Sequence, residues 1–280
     1  MIVDAHHHLW NYSAAEYPWI PDAFPNLQAD QTAADFAAVA EPLGIAASVA
    51  VQARQSLEET DWLLSVAAAD NPVAGVVGWA PLASSSVGDD LADRAADPHL
   101  VGIRHVVQDE PDGFLDNPAF NAGVRELGEY GLAYDLLIYG RQLDEAIRFV
   151  DRHPELTIVL DHLAKPTITP GTFDSGWAER LRKLAKRPNV SCKLSGMANE
   201  VTVREWAAAD LRPYLEVALE AFGIDRVMYG SDWPVCLMAT TYRDWFDTVA
   251  ALAASLSDDE RAKLWGGNAV RTYGLAVSPE

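Results

Sequence analysis

Short apolar runs bounded by turn residues recur along the chain, and stretches with helical periodicity separate them. Eight of the runs have the composition of buried strands, and in chain order they read MIVDAH, IAASVAVQA, VAGVVGWAPL, LVGIRHVV, LAYDLLI, LTIVLDHLA, NVSCKLS and RVMYGSDWP. Strands that alternate with helices form parallel β/α units, and a chain with this number of units closes into a barrel. The pattern therefore predicts an α/β fold, a single (β/α)8 TIM barrel, over residues 1–280.

The connections between the strands supply further expectations. The helix SLEETDWLLSVAAAD begins with a capping-box pattern, Ser56 with Glu59, in which each side chain bonds the backbone of the other residue. Pro213 predicts a break in the helical stretch 199–223, because proline lacks the N–H that an internal helix position donates. Residues 11–31 form an unusually long loop after the first strand, and both a wall of the binding site and a packed surface excursion fit it.

Polar and ionisable residues gather at the carboxyl ends of the predicted strands, where β/α barrels build their active sites. These residues are His6, His8, Gln52, Arg54, Arg104, His105, Tyr134, Asp135, Asp161, His162, Lys193, Ser195, Ser231, Asp232 and Trp233. Because strand side chains alternate in direction, we expect Asp4, His6 and His8 on one face of the first strand. His7 is expected on the opposite face, so the unit of interest is His-x-His.

The candidate catalytic set consists of His6, His8, His162 and Asp232. Small or apolar residues stand two positions before His162 and Asp232, which assigns both side chains to the crowded interior of the barrel. The imidazoles and the carboxylate offer the nitrogen and oxygen donors that hold one divalent ion. Without a metal, the imidazoles donate hydrogen bonds to a carbonyl oxygen that gains negative charge, and the carboxylate accepts a proton from water. Each residue alone is more often structural, and it is their convergence that favours a site.

Arg104 and Lys193 are further cations near the barrel mouth, and the same alternation assigns Arg104 to the inner face. If these inner-face assignments are shifted by one residue, His105, Asp161 or Ser231 faces inward instead. Buried cations need anions, so pairing with Asp135 or Asp161 explains them. Binding of an oxygen-rich substrate explains them equally well. Aromatic faces suited to a sugar ring are offered by Trp10, Trp19, Trp79 and Trp233, although core packing is the favoured explanation for Trp79.

The formal net charge of −20 narrows the classes of partner. Such a charge repels phosphate backbones and anionic lipid heads, so we expect neither a nucleic-acid partner nor a membrane partner. No apolar stretch is long enough to span a bilayer and the N-terminus lacks the pattern of a secretory signal, so a cytoplasmic protein is expected. The cysteines, Cys192 and Cys236, are too few for a disulfide framework.

Taken together, several motifs resemble the amidohydrolase superfamily, of the amidohydrolase 2 type, and within it the branch that contains sugar lactonases and pyrone-dicarboxylate lactonase. The motifs run the full length of the chain and read VDAHHHLW, GIRHVVQDEPDGFL, LDHLAKP, CKLSGM, RVMYGSDWPV and GGNAVRTYGL. Each is weak alone, whereas their combination and order are specific. The resemblance implies a distorted β/α barrel. It also implies the catalytic histidines and the aspartate of that branch, which correspond here to His6, His8, His162 and Asp232.

A departure from the superfamily bears on the metal. Members with a firmly held metal commonly place a histidine at the end of strand five, where this chain has Tyr134 and Asp135. No lysine near the end of strand four is available to bridge a pair of ions, so a two-metal centre is not expected. The cofactor expectation is one divalent ion, zinc before others, held by the candidate catalytic set. A metal-independent enzyme is the alternative, because a strained ring ester needs little electrophilic help.

The leading hypothesis is a lactonase of carbohydrate metabolism, a hydrolase in which Asp232 activates water against a carbonyl polarised by the histidines. The resemblance points to small-molecule sugar-acid lactones of the L-fucono, L-rhamnono or L-galactono type, and a dicarboxylated pyrone lactone is less favoured. The expected substrate-binding residues are Gln52, Arg54, Arg104, Lys193 and Trp233. A metal-dependent decarboxylase of the same superfamily and a non-catalytic ligand-binding barrel remain open as alternatives. The sequence leaves the oligomeric state open, and a homo-oligomer is compatible with it.

Overall fold

The computed structural model describes residues 1–69, 71–203 and 206–277. Its eight strands are parallel and lie in chain order around one sheet. Their bounds are Ile2–His7 (β1), Ile45–Val51 (β2), Val73–Gly78 (β3), Leu100–His105 (β4), Ala133–Leu136 (β5), Ile158–Leu160 (β6), Val190–Leu194 (β7) and Val227–Tyr229 (β8). Each predicted apolar run coincides with one of these strands, so the predicted (β/α)8 barrel is confirmed.

Helices alternate with the strands and pack over the outer face of the sheet through a continuous apolar cluster. In the described ranges the α-helices are Ala33–Ala40 (α1), Leu57–Ala67 (α2), Val87–Arg94 (α3), Pro118–Glu129 (α4), Leu143–Asp151 (α5), Ser175–Ala185 (α6), Ala208–Phe222 (α7), Tyr242–Ala253 (α8), Asp258–Ala262 (α9) and Asn268–Tyr273 (α10). None of the helices within these ranges has both the length and the apolar character that crossing a membrane requires.

The predicted break at Pro213 is wrong, because α7 runs through this residue without interruption. A proline in the second turn removes one helix hydrogen bond and leaves those of its neighbours in place. Burial of Leu211 and Tyr214, on either side of Pro213, offsets that loss. The predicted stretch also began too early, since among the described residues between β7 and α7 the helical part is a short 3-10 turn, Met197–Glu200.

The barrel interior is apolar over most of its depth and polar at the carboxyl ends of the strands. Small aliphatic side chains fill the apolar part, among them Val3, Ala5, Val49, Val51, Val77, Val101, Ala133 and Val159. Tyr273 and Leu275, near the end of the chain, pack into the same cluster. The packed interior supports the strand ends above it as a rigid frame for the polar side chains.

The ring of strands closes where β1 meets the segment that follows β8. A parallel bridge joins His7 to Trp233. Beside it, His8 N donates to the Trp233 carbonyl at 2.6 Å and Asp232 N donates to the His6 carbonyl at 2.8 Å. Because of this seam, residues from the two ends of the barrel sequence lie side by side, and Asp232 comes next to the His-x-His pair.

Candidate active site

A bulge in β1 turns consecutive side chains toward the barrel interior. The pairing of β1 with β2 changes register after Asp4, and Ala5 and His6 then both face inward. Asp4 points outward instead, where the Tyr242 hydroxyl donates to its Oδ2 at 2.9 Å. The expectation that Asp4 shares the face of the His-x-His pair is therefore wrong, because a bulge resets the alternation of side chains along a strand.

Polar atoms from distant parts of the chain converge at the carboxyl end of the barrel. The Nε2 atoms of His6 and His8 are 3.2 Å apart. Asp232 Oδ1 lies 3.7 Å from Nε2 of His6, 3.4 Å from that of His8 and 3.8 Å from that of His162. All of these side chains are buried. The structure thus brings together the residues that the sequence proposes as a catalytic set.

His162 and Asp232 reach this cluster from left-handed backbone conformations that residues other than glycine seldom adopt. Their φ angles are 51° and 59°. Backbone strain of this kind persists where the surrounding structure over-determines it, as functional sites commonly do. Gly196 lies against both residues: a Cβ at this position would stand 2.6 Å from His162 Nδ1 and 3.1 Å from Asp232 Oδ2. A side chain at Gly196 would therefore displace the cluster.

Hydrogen bonds to the other ring nitrogens orient the imidazoles of His8 and His162. His8 Nδ1 lies 2.7 Å from the carbonyl oxygen of Val51, and His162 Nδ1 lies 2.8 Å from Ser195 Oγ. Since a carbonyl only accepts, a neutral His8 carries its proton on Nδ1 and presents an unprotonated Nε2 to the cluster. His8 therefore acts there as an acceptor or a metal ligand, and not as the hydrogen-bond donor that the metal-free hypothesis requires.

Burial determines the charges in the cluster. Desolvation lowers the pKa of His8 below its ordinary value and lowers the pKa of His162 to about 4, so both rings are neutral near pH 7. Burial acts to raise the pKa of Asp232, but His162 and His8 outweigh it, and the pKa ends below its ordinary value. The cluster accordingly combines neutral imidazoles with an ionised carboxylate.

Two overlapping groups of donors in and beside the cluster each suit one divalent ion. Ligand atoms of His6, His8 and Asp232 lie within 4.8 Å of one another, and so do ligand atoms of His6, Asp161 and His162. The unprotonated Nε2 of His8 and the ionised Oδ1 of Asp232 face each other at 3.4 Å, and a cation between them would satisfy both lone pairs. Divalent transition-metal sites typically combine carboxylate ligands with imidazole ligands, and the second ring nitrogen of each imidazole is hydrogen bonded to a partner outside the site.

A network of buried charges lies beneath the cluster. Lys193 Nζ is 2.5 Å from Asp135 Oδ2, 3.0 Å from Asp161 Oδ1 and 3.1 Å from His6 Nδ1. Arg104 Nη1 donates to Asp161 Oδ2 at 3.0 Å. Lys193 is fully buried among these partners. Of the explanations that the sequence left open for Lys193, pairing with Asp135 and Asp161 is the one that the geometry matches.

A cavity of about 570 Å³ opens above the cluster, a size in the range of small-molecule sites. Its lining includes His8, Glu16, Trp19, Arg54, Arg104, Tyr139, His162, Lys165, Asn199, Glu200 and Asp232. Glu16 and Trp19 belong to the long loop 11–31, which is therefore a wall of the cavity. Trp19 is 40% exposed, whereas the candidate tryptophans Trp10 and Trp233 are buried.

The expected substrate-binding residues divide into those that line the cavity and those that lie behind its wall. Arg54 and Arg104 line it. Gln52 is fully buried, and its Nε2 donates to the Arg104 carbonyl at 3.4 Å. Trp233 packs in the apolar cluster between strands and helices. Together with Lys193, these residues support the site from behind and do not reach its surface.

Some polar residues of the lining were missed by sequence reasoning, namely Glu16, Lys165, Asn199 and Glu200. Lys165 stands inside the LDHLAKP motif, three residues after His162, and that position is a signal that would have identified it. Glu16 lies in a loop and Glu200 in a short 3-10 turn, and the strand pattern predicts the path of neither segment. Their place in the wall follows only from the folded chain.

Comparison with known proteins agrees with the fold and the motifs. The family model described as amidohydrolase matches residues 3–275. An L-fucono-1,5-lactonase of Burkholderia multivorans is 40% identical over 284 residues, which cover 98% of this chain and 96% of that protein. An L-fucono-1,5-lactonase of Burkholderia ambifaria is 34% identical over 278 residues, which cover 98% of this chain and 95% of that protein.

Solved structures give the same result. An amidohydrolase from Burkholderia multivorans, crystallised with bound zinc, has a TM-score of 0.92 to this chain at 40% identity, and the alignment covers 98% of this chain and 99% of that one. The resemblance that the motifs indicate is thereby confirmed. This chain belongs to the amidohydrolase family of enzymes.

Proposed function

We propose that this protein is a lactonase that opens a neutral sugar-acid lactone of the L-fucono-1,5-lactone type. The relatives named L-fucono-1,5-lactonase, at 40% and 34% identity, support this class of substrate. The observation that carries the proposal is the position of Asp232, an ionised carboxylate at the cavity whose Oδ1 lies 3.4 to 3.8 Å from the imidazole nitrogens. A carboxylate in this position is suited to activate water beside a carbonyl group.

The residues proposed to hold one divalent ion are His6, His8, His162 and Asp232. Three nitrogen donors with one carboxylate favour zinc among such ions. When bound, an ion of this kind polarises the lactone carbonyl and lowers the pKa of water. The contribution of the chain is to keep the ligands in place, and the Val51 carbonyl does so by holding the His8 proton on Nδ1.

Asp232 moves the proton in the proposed reaction. Its carboxylate takes a proton from water while the water oxygen forms a bond to the lactone carbonyl carbon. The bond between that carbon and the ring oxygen then breaks, and Asp232 returns the proton to the alkoxide that leaves. The product is an open-chain sugar acid, and its new carboxyl group releases one proton to neutral solution.

The charges around the cavity favour a neutral substrate over a dicarboxylate. Arg54 is already in contact with Glu16, and Arg104 already pairs with Asp161 at 3.0 Å. Glu200 adds another acidic side chain to the lining. A pyrone dicarboxylate would require several cations without direct carboxylate contacts, and among the described lining residues Lys165 alone is such a cation. A sugar ring instead requires mixed donors and acceptors. This distribution of charge supports the sugar lactone.

Asp232→Asn tests the proposal. We expect this change to lower kcat for L-fucono-1,5-lactone by about 10²- to 10⁴-fold, the usual contribution of a positioned base, and to leave the protein folded. Turnover is followed with a pH indicator, because ring opening releases a proton. Asp151→Asn is the matched control, since Asp151 lies at the surface in a pair with Arg187 and is expected to keep the wild-type rate. Near-normal turnover by Asp232→Asn would reject the assigned role.

The same assay separates the alternatives. A decarboxylase consumes a proton when carbon dioxide leaves and would leave the lactone intact. A non-catalytic binding barrel would show no proton release with wild-type protein. Metal analysis of the purified protein, and the assay repeated with a chelator, report whether the reaction depends on an ion.

A further inference from the structure

Lys165 and Glu200 form a charged pair in the cavity wall that the proposed reaction does not use. Lys165 ends the run of left-handed residues that begins at His162, and Glu200 ends a 3-10 turn after β7. The loops that carry them are joined by backbone contacts: Ile168 N donates to the Glu200 carbonyl at 3.0 Å, and a parallel bridge links Ile168 to Val201. The position of the pair is therefore set by the backbone.

The two charged groups are close without being hydrogen bonded. Lys165 Nζ and Glu200 Oε1 are 3.9 Å apart. A charge-assisted N–H···O bond is about 2.7–2.9 Å long, so the groups attract each other across a gap. The ammonium only donates and the carboxylate only accepts, and both line the cavity. A hydroxyl group placed beside the gap meets both needs, because it accepts from the ammonium and donates to the carboxylate.

Tyr139 adds an apolar surface next to this pair. The Lys165 ammonium lies 5.8 Å from the centre of the Tyr139 ring, and Tyr139 also lines the cavity. A cation held over an aromatic face is restricted in its movement. The combination of a polar pair and an aromatic ring matches the surface of a sugar, which has hydroxyl groups at its edge and C–H groups on its faces.

Another charged pair of the cavity wall provides a contrast. Arg54 and Glu16 are in direct contact, so each group already satisfies the other. Among the residues that the structure describes, Lys165 and Glu200 keep unused hydrogen-bonding capacity, and their side chains are only 18% and 17% exposed. Partly buried charges without direct partners are poorly compensated, so a ligand group that completes them gains free energy.

We propose that Lys165 and Glu200 are specificity-determining residues that bind one ring hydroxyl of the lactone, with Lys165 as donor and Glu200 as acceptor. The inference rests on the proposed function, because it requires a hydroxylated lactone in this cavity. A lactone that lacks the hydroxyl leaves both charges uncompensated and is rejected for that reason. The pair recognises a hydroxyl group of the substrate and takes no part in bond cleavage.

The test compares L-fucono-1,5-lactone with δ-valerolactone, which has the same six-membered ring ester and no hydroxyl groups. The measured quantity is kcat/KM for L-fucono-1,5-lactone divided by kcat/KM for δ-valerolactone. A change in the chemical step that affects both substrates equally cancels in this ratio. We expect the ratio to fall by about 10- to 100-fold in Glu200→Gln and in Lys165→Met, because a hydrogen bond to a charged group is lost. Glu179→Gln, in the exposed Glu179–Lys183 pair on α6, is the matched control and is expected to keep the wild-type ratio.

A binding measurement tests the same point without turnover. The probe is 1,5-anhydro-L-fucitol, a ring ether with the hydroxyl groups of the lactone and no ester, and its Kd is measured by calorimetry. We expect Glu200→Gln to weaken this binding by about 10-fold or more and Glu179→Gln to leave it unchanged. This inference alone is overturned if Glu200→Gln and Lys165→Met keep the wild-type ratio. It is also overturned if Glu200→Gln binds the ether as tightly as the wild type does. A wild-type enzyme that opens no sugar lactone overturns the proposed function instead.

Discussion

At the scale of single residues, His8 shows how one backbone contact decides what a side chain contributes. Its Nδ1 lies 2.7 Å from the Val51 carbonyl, so the neutral ring is held in one tautomer with Nε2 directed at Asp232. A histidine in that state ligates or accepts, which is why the geometry favours a metal site over a metal-free oxyanion site. The adjacent His7 has a different environment, stacked on Phe36 with the ring centres 3.9 Å apart.

His8→Ala is therefore expected to weaken zinc binding by more than about 100-fold. Loss of a residue that only supports a ligand already weakens metal binding by up to about 100-fold, and loss of the ligand itself should cost more. The affinity is measured by competition with a fluorescent zinc indicator and needs no substrate. His7→Gln is the control within the same triplet, because His7 contacts Phe36 and Ser48 and lies outside the cluster. Equal zinc affinity in His8→Ala and wild type would contradict the assignment of His8 as a ligand.

At the scale of elements, the start of α2 fastens the long loop to the barrel. Ser56 Oγ accepts from Glu59 N at 3.1 Å, as the capping-box pattern predicts. The Glu59 carboxylate does not return to Ser56, and instead accepts from the Tyr17 hydroxyl at 3.0 Å and from Arg54 N at 2.9 Å. Only half of the box forms, because the folded chain offers the carboxylate other donors. Loop 11–31, a wall of the cavity, is held through this carboxylate.

Glu59 makes this attachment depend on pH. Burial raises the pKa of Glu59 from 4.5 to about 7. Because the pKa of Glu59 is higher in the folded state, the folded state binds the proton more tightly than the unfolded state does. Protonation of Glu59 therefore stabilises the fold fully below about pH 4.5, and this stabilisation is lost as the pH rises to about 7. The full shift corresponds to at most about 3.5 kcal/mol, since one pKa unit is about 1.4 kcal/mol.

We accordingly expect the free energy of unfolding of the wild type, relative to that of Glu59→Gln, to decrease between about pH 5 and about pH 7. Urea unfolding at a series of pH values measures both proteins. Glu58→Gln, which changes the neighbouring exposed acid in the first turn of α2, is expected to follow the wild type at every pH. Identical pH profiles for Glu59→Gln and wild type would show that Glu59 does not titrate in this way.

At the scale of the whole molecule, buried charges connect separate strands of the barrel. Lys193 on β7 contacts Asp135 on β5 and Asp161 after β6, and Arg104 on β4 joins the same network. Burying such charges costs desolvation free energy, so their main effect is to fix the arrangement of the strands rather than to stabilise the fold. Lys193 Nζ also lies 3.1 Å from His6 Nδ1, which couples this arrangement to the candidate catalytic set.

Lys193→Met is expected to lower the free energy of unfolding by about 3–5 kcal/mol, because Asp135 and Asp161 would keep buried charges without this cation. Urea unfolding measures the loss. The double variant Lys193→Met with Asp135→Asn is expected to be more stable than the single variant, since it removes one of the buried carboxylates that have lost this cation. Lys183→Met, at the exposed surface of α6, is expected to change stability by less than about 0.5 kcal/mol. A double variant no more stable than Lys193→Met would contradict the pairing.

The sequence by itself determined the number and order of the strands and the chemistry at their ends. Apolar runs bounded by turns are local signals, and His6, His162 and Asp232 each stand near the carboxyl end of such a run. Once the strands are parallel and closed, residues at their carboxyl ends have to meet, so the candidate catalytic set was accessible to pattern reasoning.

Only the tertiary structure decided which side chains face the cavity and which lie beneath it. The bulge that turns His6 inward, the burial of Lys193 and the gap between Lys165 and Glu200 all depend on contacts between residues distant in sequence. Alternation along a strand is a local rule, and a shift in pairing with the neighbouring strand overrides it. Distances between loops depend on how the whole barrel closes, and local sequence does not encode that closure.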